Sequence, residues 1–486
     1  MTMKQGFAAF ATEPARQVPV VATADVVVVG GGPAGFSAAV AAARNGASVC
    51  LVERYPYLGG LASGGMVLVL DDMCAGAEIT VRGLCQEVIE RLARRGLAVY
   101  PPEQERGHDP AMWRKWSRWG LYDFNVRTRP HPICYAAAFD PDGWKRVCDE
   151  MVAEAGVNLR LHSWFSHALA RDGAIEGVVV DSKAGRQAIM GEVVIDATGD
   201  LDVAAATGAP FVHAGYMVTT VFRLGGVDTE EAERFQFEEP ERFAVLDKEA
   251  RRIIGGSWDY WWLKTPLPGI VWCNCPHMTG LDGLKVEDLT VAEFEGRRRI
   301  HALVDYAQAN LPGFARCYVV DIAPQTGVRQ TRLLDGEYVV TKEDIAGRVQ
   351  FPDSIARGRD YYTPYRALLP RGIDRLLVAG RHYSATPPAQ KISREIPPCM
   401  AMGEAAGIAA VMALDTGVPV RAVDVAALQR KLSAQGADPG DPPRADARVL
   451  QHSSHAGTTA RRRQGRRLHP GHARTLLHPD ARRLGR

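Results

Sequence analysis

The stretch from Asp25 to Arg54, DVVVVGGGPAGFSAAVAAARNGASVCLVER, constrains this chain more than any other. Val26 to Val29 form a β-branched run of the kind that fills a strand buried on both faces of a parallel sheet. The run ends in Gly30-Gly31-Gly32-Pro33-Ala34-Gly35, which holds the G-x-G-x-x-G spacing and opens an alanine-rich helix reaching Gly46, placed as a C-cap glycine. Gly30 permits the tight turn, Gly32 lets a pyrophosphate approach the backbone, and Gly35 lets the helix pack closely on the strand, so that free N–H groups face the phosphates. A second apolar strand, Ala47 to Val52, leads to Glu53, whose carboxylate suits the hydroxyls of an adenosine ribose. Strand, glycines, helix, second strand and terminal acid fall at the offsets of a dinucleotide-binding βαβ unit.

The sequence then leaves and re-enters this unit. Leu58-Gly59-Gly60 can line an extended cofactor where a side chain would collide with it. Residues 82–98 read as a helix carrying Leu84, Val88, Ile89 and Leu92 on one side. Trp113, Trp116 and Trp119 recur every three residues, a stripe that reads as core or interface. From Asp140 a helix runs to about Ala155, followed by strands at 157–162, 177–181 and 187–190. A buried strand then ends in Ala197-Thr198-Gly199-Asp200. A third apolar strand ends at Gly380-Arg381-His382, and Pro397-Pro398 opens a helix with small residues on one side, its positive end suited to an anionic ring edge. The expected fold class is α/β: a Rossmann-like domain with a parallel sheet and a β-meander, plus an inserted α+β substrate domain. The nucleotide domain is discontinuous, from residues 25–70, 139–210 and 371–436. Residues 71–138 and 211–370 are substrate or cap regions, and 1–24 is a lead-in.

Composition, 46% hydrophobic and 23% charged, is that of a globular enzyme, and glycine or charge interrupts every long apolar run, so no membrane span and a cytoplasmic location are expected. The formal charge of +2 hides a basic tail: from Asp441 onward eleven arginines face three aspartates, an excess of +8 that leaves the body near −6. Residues 437–486 read as a disordered basic tail. Nucleic acid is not expected as a partner of the body; a flavoprotein acting in RNA modification rests on the tail alone. None of the nine cysteines forms C-x-x-C, which argues against a redox-active disulfide, a structural zinc or an iron–sulfur ladder. No metal site is expected.

Taken in order, the Gly30–Gly35 loop with Glu53, Leu58-Gly59-Gly60, Ala197-Thr198-Gly199-Asp200, Gly327-Val328-Arg329-Gln330-Thr331-Arg332, Gly336-Glu337-Tyr338 and the Gly380 to Gly407 block resemble the FAD-dependent oxidoreductase family. That family sits in the two-dinucleotide-binding flavoprotein superfamily and is often grouped with the flavoprotein part of heterodisulfide reductase. The resemblance covers residues 13–436. It implies noncovalent, occasionally covalent, FAD. Gly30, Gly32, Gly35, Glu53 and Gly60, with Pro33, Ala34, Arg54 and Gly59 beside them, would hold the ADP half. Ala197, Thr198, Gly199 and Asp200 would form the returning edge, and Gly380, Arg381, Gly403 and Ala406 the flavin end. The iron–sulfur cysteines of the heterodisulfide reductase relatives are absent, and no NAD(P) module is evident, so electrons have to reach another acceptor, and an external acceptor or donor protein is left open as a partner.

A flavin supplies hydride chemistry while the protein supplies a base or acid and positioning. His382 is the first candidate for general base, its ordinary pKa suiting proton abstraction near neutral pH. Arg394 would orient a carboxylate or hydroxyl oxygen, the competing reading being a simple pair with Glu395. Tyr383 and Lys391 are further candidates. So are Arg329 and Arg332, with structural ion pairs as the competing reading. The expected reaction is hydride transfer between flavin N5 and a CH–OH or CH–CH unit of a small organic molecule, with reduction fed by an electron-transfer protein as the alternative. A homo-oligomer is left open.

Overall fold

In the computed structural model, which describes residues 11, 13–257 and 260–440, the valine run occupies the middle of a seven-stranded sheet. Strand β1 (Val20–Val29) is followed by helix α1 (Pro33–Arg44) and β2 (Val49–Val52). Helix α2 (Pro141–Glu154) leads to β3 (Asn158–Arg160), β4 (Trp164–Arg171), β5 (Ala174–Ser182) and β6 (Gly185–Asp196). Much later the chain returns as β7 (Leu376–Val378) and helix α3 (Ile396–Thr416). The order is β3-β2-β1-β6-β5-β4, with β7 also on β6. Strands β3, β2, β1, β6 and β7 are parallel, whereas β5 and β4 form the antiparallel meander. Val26 and Val28 enter one core and Val27 and Val29 the other, so both faces of β1 are covered and only apolar side chains fit there.

Three boundaries differ from the sequence reading. Strand β1 starts at Val20, because residues 20–24 pair with Ala188–Gly191, so the lead-in ends inside the sheet. The strands read separately at 187–190 and 193–196 are one strand, β6; Gly191 within it packs on Val27, whose Cγ2 would lie 2.7 Å from an added Cβ. The helix read over 82–98 spans Leu84–Ala93 and stops in a turn at Gly96, which has a φ of +70°. The tail beyond residue 440 lies outside the described residues.

Helix α1 lies on one face of the sheet with α3 packed across it. Among the described residues α3 alone has the length and apolarity to cross a membrane, and most of it is buried inside the protein. The core around α1 and α3 also takes in Leu84 to Leu92 and Val340 to Leu369, stretches read from sequence as cap. The remaining cap has its own core. A four-stranded sheet (Phe222–Gly225, Leu263–Lys264, Val271–Cys273 and Tyr318–Ile322) packs under the helices Pro240–Ile254 and Val286–Asn310. A three-stranded sheet, Val218–Thr219 between His277–Met278 and Gly327–Val328, adjoins it. The tryptophan stripe is an interface: Trp116, Leu121, Tyr122 and Trp272 share one cluster, and the guanidinium of buried Arg118 stacks 4.1 Å from Tyr260 and 4.0 Å from Trp262.

Candidate functional site

At the C-terminal ends of the parallel strands a cleft follows the glycine loop, where open α/β sheets place ligands. Gly30 has a φ of +102°, and a Cβ there would stand 2.4 Å from the Ala197 oxygen, so the turn must be glycine. Gly32 is the N-cap of α1 with no side-chain cap, and Pro33 follows, leaving first-turn N–H groups without a side-chain acceptor at the cleft. A Cβ on Gly60 would approach Gly32 Cα to 2.9 Å, so these two glycines let the loops meet across the path of a phosphate chain. Gly30, Gly32, Pro33, Ala34 and Gly60 line the cleft. Gly35 does not: its Cβ would fall 1.7 Å from the Gly30 oxygen, and it serves helix–strand packing.

Glu53 ties the two loops together. Its Oε2 accepts the Gly31 N–H at 2.6 Å and its Oε1 the Tyr55 N–H at 2.8 Å, while burial pushes its pKa up. Beyond it, the Arg54 guanidinium lies 5.0 Å from the Tyr55 ring and 5.4 Å from Trp164, the two rings meeting edge to face at 6.2 Å. This aromatic mouth suits a planar base. Tyr55, Ser163, Trp164 and Phe165 line it but carry no sequence signal beyond following a strand.

The returning edge is organised by Asp196, fully buried at the end of β6. Its carboxylate accepts the Thr198 N–H and hydroxyl and the Ala204 N–H, at 3.1, 2.7 and 2.9 Å. Burial works against its ionisation, but His382 and these donors hold its pKa below the ordinary range. Ala197, Thr198 and Gly199 reach the cleft. Asp200 does not line it; it accepts Arg381 Nη2 at 2.9 Å and the Thr331 hydroxyl at 2.7 Å, joining the nucleotide domain to the cap.

At the other end the cleft is lined by Gly380, Arg381, Gln325, Arg394, Ile396 and Cys399. Several predicted residues lie elsewhere. His382 is fully buried, with Nε2 3.1 Å from the Asp196 carbonyl and 3.2 Å from its carboxylate, so it cannot serve as a base facing the cleft. Tyr383 is buried too, its hydroxyl 2.6 Å from Ser393. Lys391 lies 4.3 Å from the Tyr216 ring. Gly403 and Ala406 are interior residues of α3, and a Cβ on Gly403 would lie 2.0 Å from the Ala34 oxygen. Gly59 is behind the cleft wall, its Cβ position 2.5 Å from Trp144. These sites turn inward because small residues are spent on helix crossings and the His382 loop is drawn under β6 by Asp196.

Arg394 is the catalytic candidate that does reach the cleft, with Nη2 3.2 Å from Glu395. Behind it stands Arg329, whose Nη2 is 3.3 Å from the Thr219 hydroxyl. Burial, then the charge of Arg394, push Arg329 down to about 10, and burial with both arginines pushes His277 down to about 3, so that imidazole is neutral. Arg332 pairs with Asp202 at 2.5 Å. Among the described residues no three His, Cys, Asp or Glu side chains converge as metal ligands.

The residues of the cleft fit FAD: an uncapped helix start and two touching glycines for the pyrophosphate, a buried acid at the ribose position, and an aromatic mouth. In comparisons, 61 residues are 51% identical to fumarate reductase (cytochrome) of Shewanella frigidimarina, covering 12% of this chain and 11% of that protein. The match thus spans about a tenth of that curated relative's length. Among solved structures, p-nitrophenol 4-monooxygenase PnpA from Pseudomonas putida superposes with a TM-score of 0.47 at 15% identity, covering 86% of this chain and 87% of that one. A geranylgeranyl bacteriochlorophyll reductase-like protein from Thermoplasma acidophilum gives 0.46 at 14%, covering 86% and 84%. Residues 25–360 and 357–432 match the FAD dependent oxidoreductase family, and on that match the chain is a member of it.

Proposed function

We propose that this flavoenzyme exchanges hydride between a CH–OH or CH–CH unit of a small organic carboxylate and flavin N5. The observation that carries the reading is Arg394, which lines the α3 end of the cleft together with Arg381. A guanidinium facing the cleft can hold a substrate oxyanion through charge-assisted hydrogen bonds. The buried Nε of Arg394 has no hydrogen-bond partner in the protein, which leaves a donor for such a ligand.

Bound FAD supplies the hydride chemistry. The chain's part is to hold and orient. Gly30, Gly32, Pro33, Ala34 and Gly60 receive the pyrophosphate, Glu53 the ribose, and Arg54, Tyr55 and Trp164 the adenine. The N-cap of α3 is Glu395, whose side chain makes no capping hydrogen bond, and the helix dipole favours negative charge beside Ile396. Near Arg394, burial and then the charges of Glu395 and Asp72 push the Asp71 carboxyl well above the ordinary range, with Arg394 opposing them.

An absorbance spectrum of the purified protein, before and after denaturation, tests the flavin; anaerobic reduction by hydroxy acids and by their esters tests the substrate class. Bleaching by acids alone supports the reading, and equal bleaching by uncharged alcohols refutes Arg394 as an anchor. Oxygen consumption against dependence on a reduced protein donor separates oxidation from the reductive alternative. The latter draws support from the lack of a second G-x-G-x-x-G after a strand.

A further inference from the structure

Of the residues that line the nucleotide cleft, Gln325 alone comes from the cap, where it lies between the strands Tyr318–Ile322 and Gly327–Val328. The chain around it is fixed on both sides. The Ala323 N–H donates to the Val221 oxygen at 2.8 Å, the Gln325 N–H to the Gly64 oxygen at 3.1 Å, and the Thr326 hydroxyl to the Glu293 carboxylate. The bond to Gly64 crosses from the cap to the loop that follows Gly60, so both domains set where this side chain stands. Gln325 is 8% exposed, and its Oε1 is buried without a hydrogen-bond partner among the described residues. A buried acceptor is costly unless a ligand supplies its donor.

The rest of that end of the cleft offers donors. Among Gly380, Arg381, Gln325, Arg394, Ile396 and Cys399, Gln325 alone carries a side-chain oxygen. The Cys399 thiol is directed at the Arg394 carbonyl, 3.3 Å away. Arg381 and Arg394 engage Asp200 and Glu395 through Nη2, and the Nε of each is buried with no hydrogen-bond partner among the described residues. One acceptor thus shares this end with two guanidinium donors. We propose that Gln325 determines specificity for a hydroxy acid, its Oε1 accepting the hydroxyl of a substrate whose carboxylate Arg394 holds. The inference rests on the reading of Arg394 as the carboxylate anchor and, within it, chooses the CH–OH over the CH–CH substrate. An acid without the hydroxyl leaves the amide oxygen buried and unpaired, and that loss is what lets hydroxyl-reading sites reject such analogues. An amino acid brings donors too, but it sets an ammonium beside two guanidiniums. An amide oxygen holds an O–H without removing its proton, so Gln325 selects and positions.

The test is calorimetric titration of the full-length holoenzyme with its flavin reduced beforehand, so that no hydride is accepted and binding alone is read. Lactate, mandelate and β-hydroxybutyrate are each paired with the acid lacking the hydroxyl: propionate, phenylacetate and butyrate. In the wild type a hydroxy acid is expected to bind roughly tenfold or more tighter than its partner. Gln325→Met, similar in size but without the acceptor, is expected to bring the pair to equal affinity, while Arg394→Lys weakens both members together. The proposal is overturned if the wild type binds no hydroxy acid more tightly than its partner, or if Gln325→Met keeps the preference. It is also overturned if Gln325→Met lowers FAD affinity and not the preference, which gives the amide to the cofactor. Equal binding of both members that still depends on Arg394 removes the role of Gln325 and leaves the anchor standing; binding of no carboxylate refutes the anchor and this inference with it. Flavin absorbance reports whether Gln325→Met is folded; should it be lost, the wild-type pairs decide.

Discussion

Replacing Gly403 by alanine puts a single methyl group at the crossing of α1 and α3. The added Cβ would stand 2.0 Å from the Ala34 oxygen, 2.7 Å from its carbonyl carbon and 2.8 Å from its Cα, where ordinary contact starts at 3.4 Å. The helices must therefore part by about 1.4 Å at that point. Sliding offers no escape, because one turn further on Gly407 meets the Ala38 oxygen in the same way, with its Cβ position at 2.3 Å. Separation over two turns forfeits much of the close packing between alanine-rich faces, since a gap of about 1 Å already loses up to half of each contact. Overpacking costs about 1–3 kcal/mol, and a site closed against backbone belongs near the top of that range. Ala34 also lines the cofactor cleft, so moving it shifts the phosphate loop and is expected to weaken FAD binding by roughly tenfold for each ~1.4 kcal/mol transferred to the site. Urea denaturation and FAD titration of the apoprotein measure both effects. Gly215→Ala is the control, since a Cβ there meets nothing within 4 Å. If Gly403→Ala is within about 0.5 kcal/mol of wild type and binds FAD equally well, the reasoning about this crossing is wrong.

Glu404, buried and accepting the Leu84 N–H at 3.1 Å, is pushed up to about 7 by burial. Its folded pKa exceeds its unfolded one, so its contribution is intact below the unfolded value of 4.5 and is lost as pH rises through about 7. Glu404→Gln should remove a pH-dependent loss of up to roughly 3 kcal/mol between about pH 5 and pH 8, read from urea midpoints; an unchanged slope refutes the assignment. Glu53→Gln sets an amide NH₂ against one of the two N–H groups the carboxylate now accepts, and FAD affinity should fall at least about tenfold by fluorescence titration. Arg394→Lys keeps the charge but loses the planar fork, so KM for a carboxylate substrate should rise on the order of tenfold or more, while an uncharged substrate is unaffected. Asp196→Asn should destabilise the fold by about 3 kcal/mol or more, because His382 and three donors lose their buried anion; a melt indistinguishable from wild type would contradict that role.

The nucleotide half of the site could be read from the chain because its physics is local. A valine run, glycines at fixed spacing, an alanine-rich helix and an acid at the end of the next strand each follow from propensity and steric limits within thirty residues. Glu53, Gly30, Gly32 and Gly60 accordingly stand in or on the cleft wall where the spacing puts them. The catalytic half was not legible in this way. His382 occupies the expected place in sequence, one residue beyond cleft-lining Arg381, yet the buried carboxylate of Asp196 turns it inward. Gly403 and Ala406 look like room for a ring but are room for a helix, because smallness in a sequence does not say what fills the space. The ion pair of Arg381 with Asp200, the contact of His382 with Asp196 and the capture of the Leu84 N–H by Glu404 join residues 181, 186 and 320 positions apart. Periodicity and spacing report what each segment does with its own backbone. Desolvation and long-range pairing depend on which distant segments are packed against one another, and only the tertiary structure decides that.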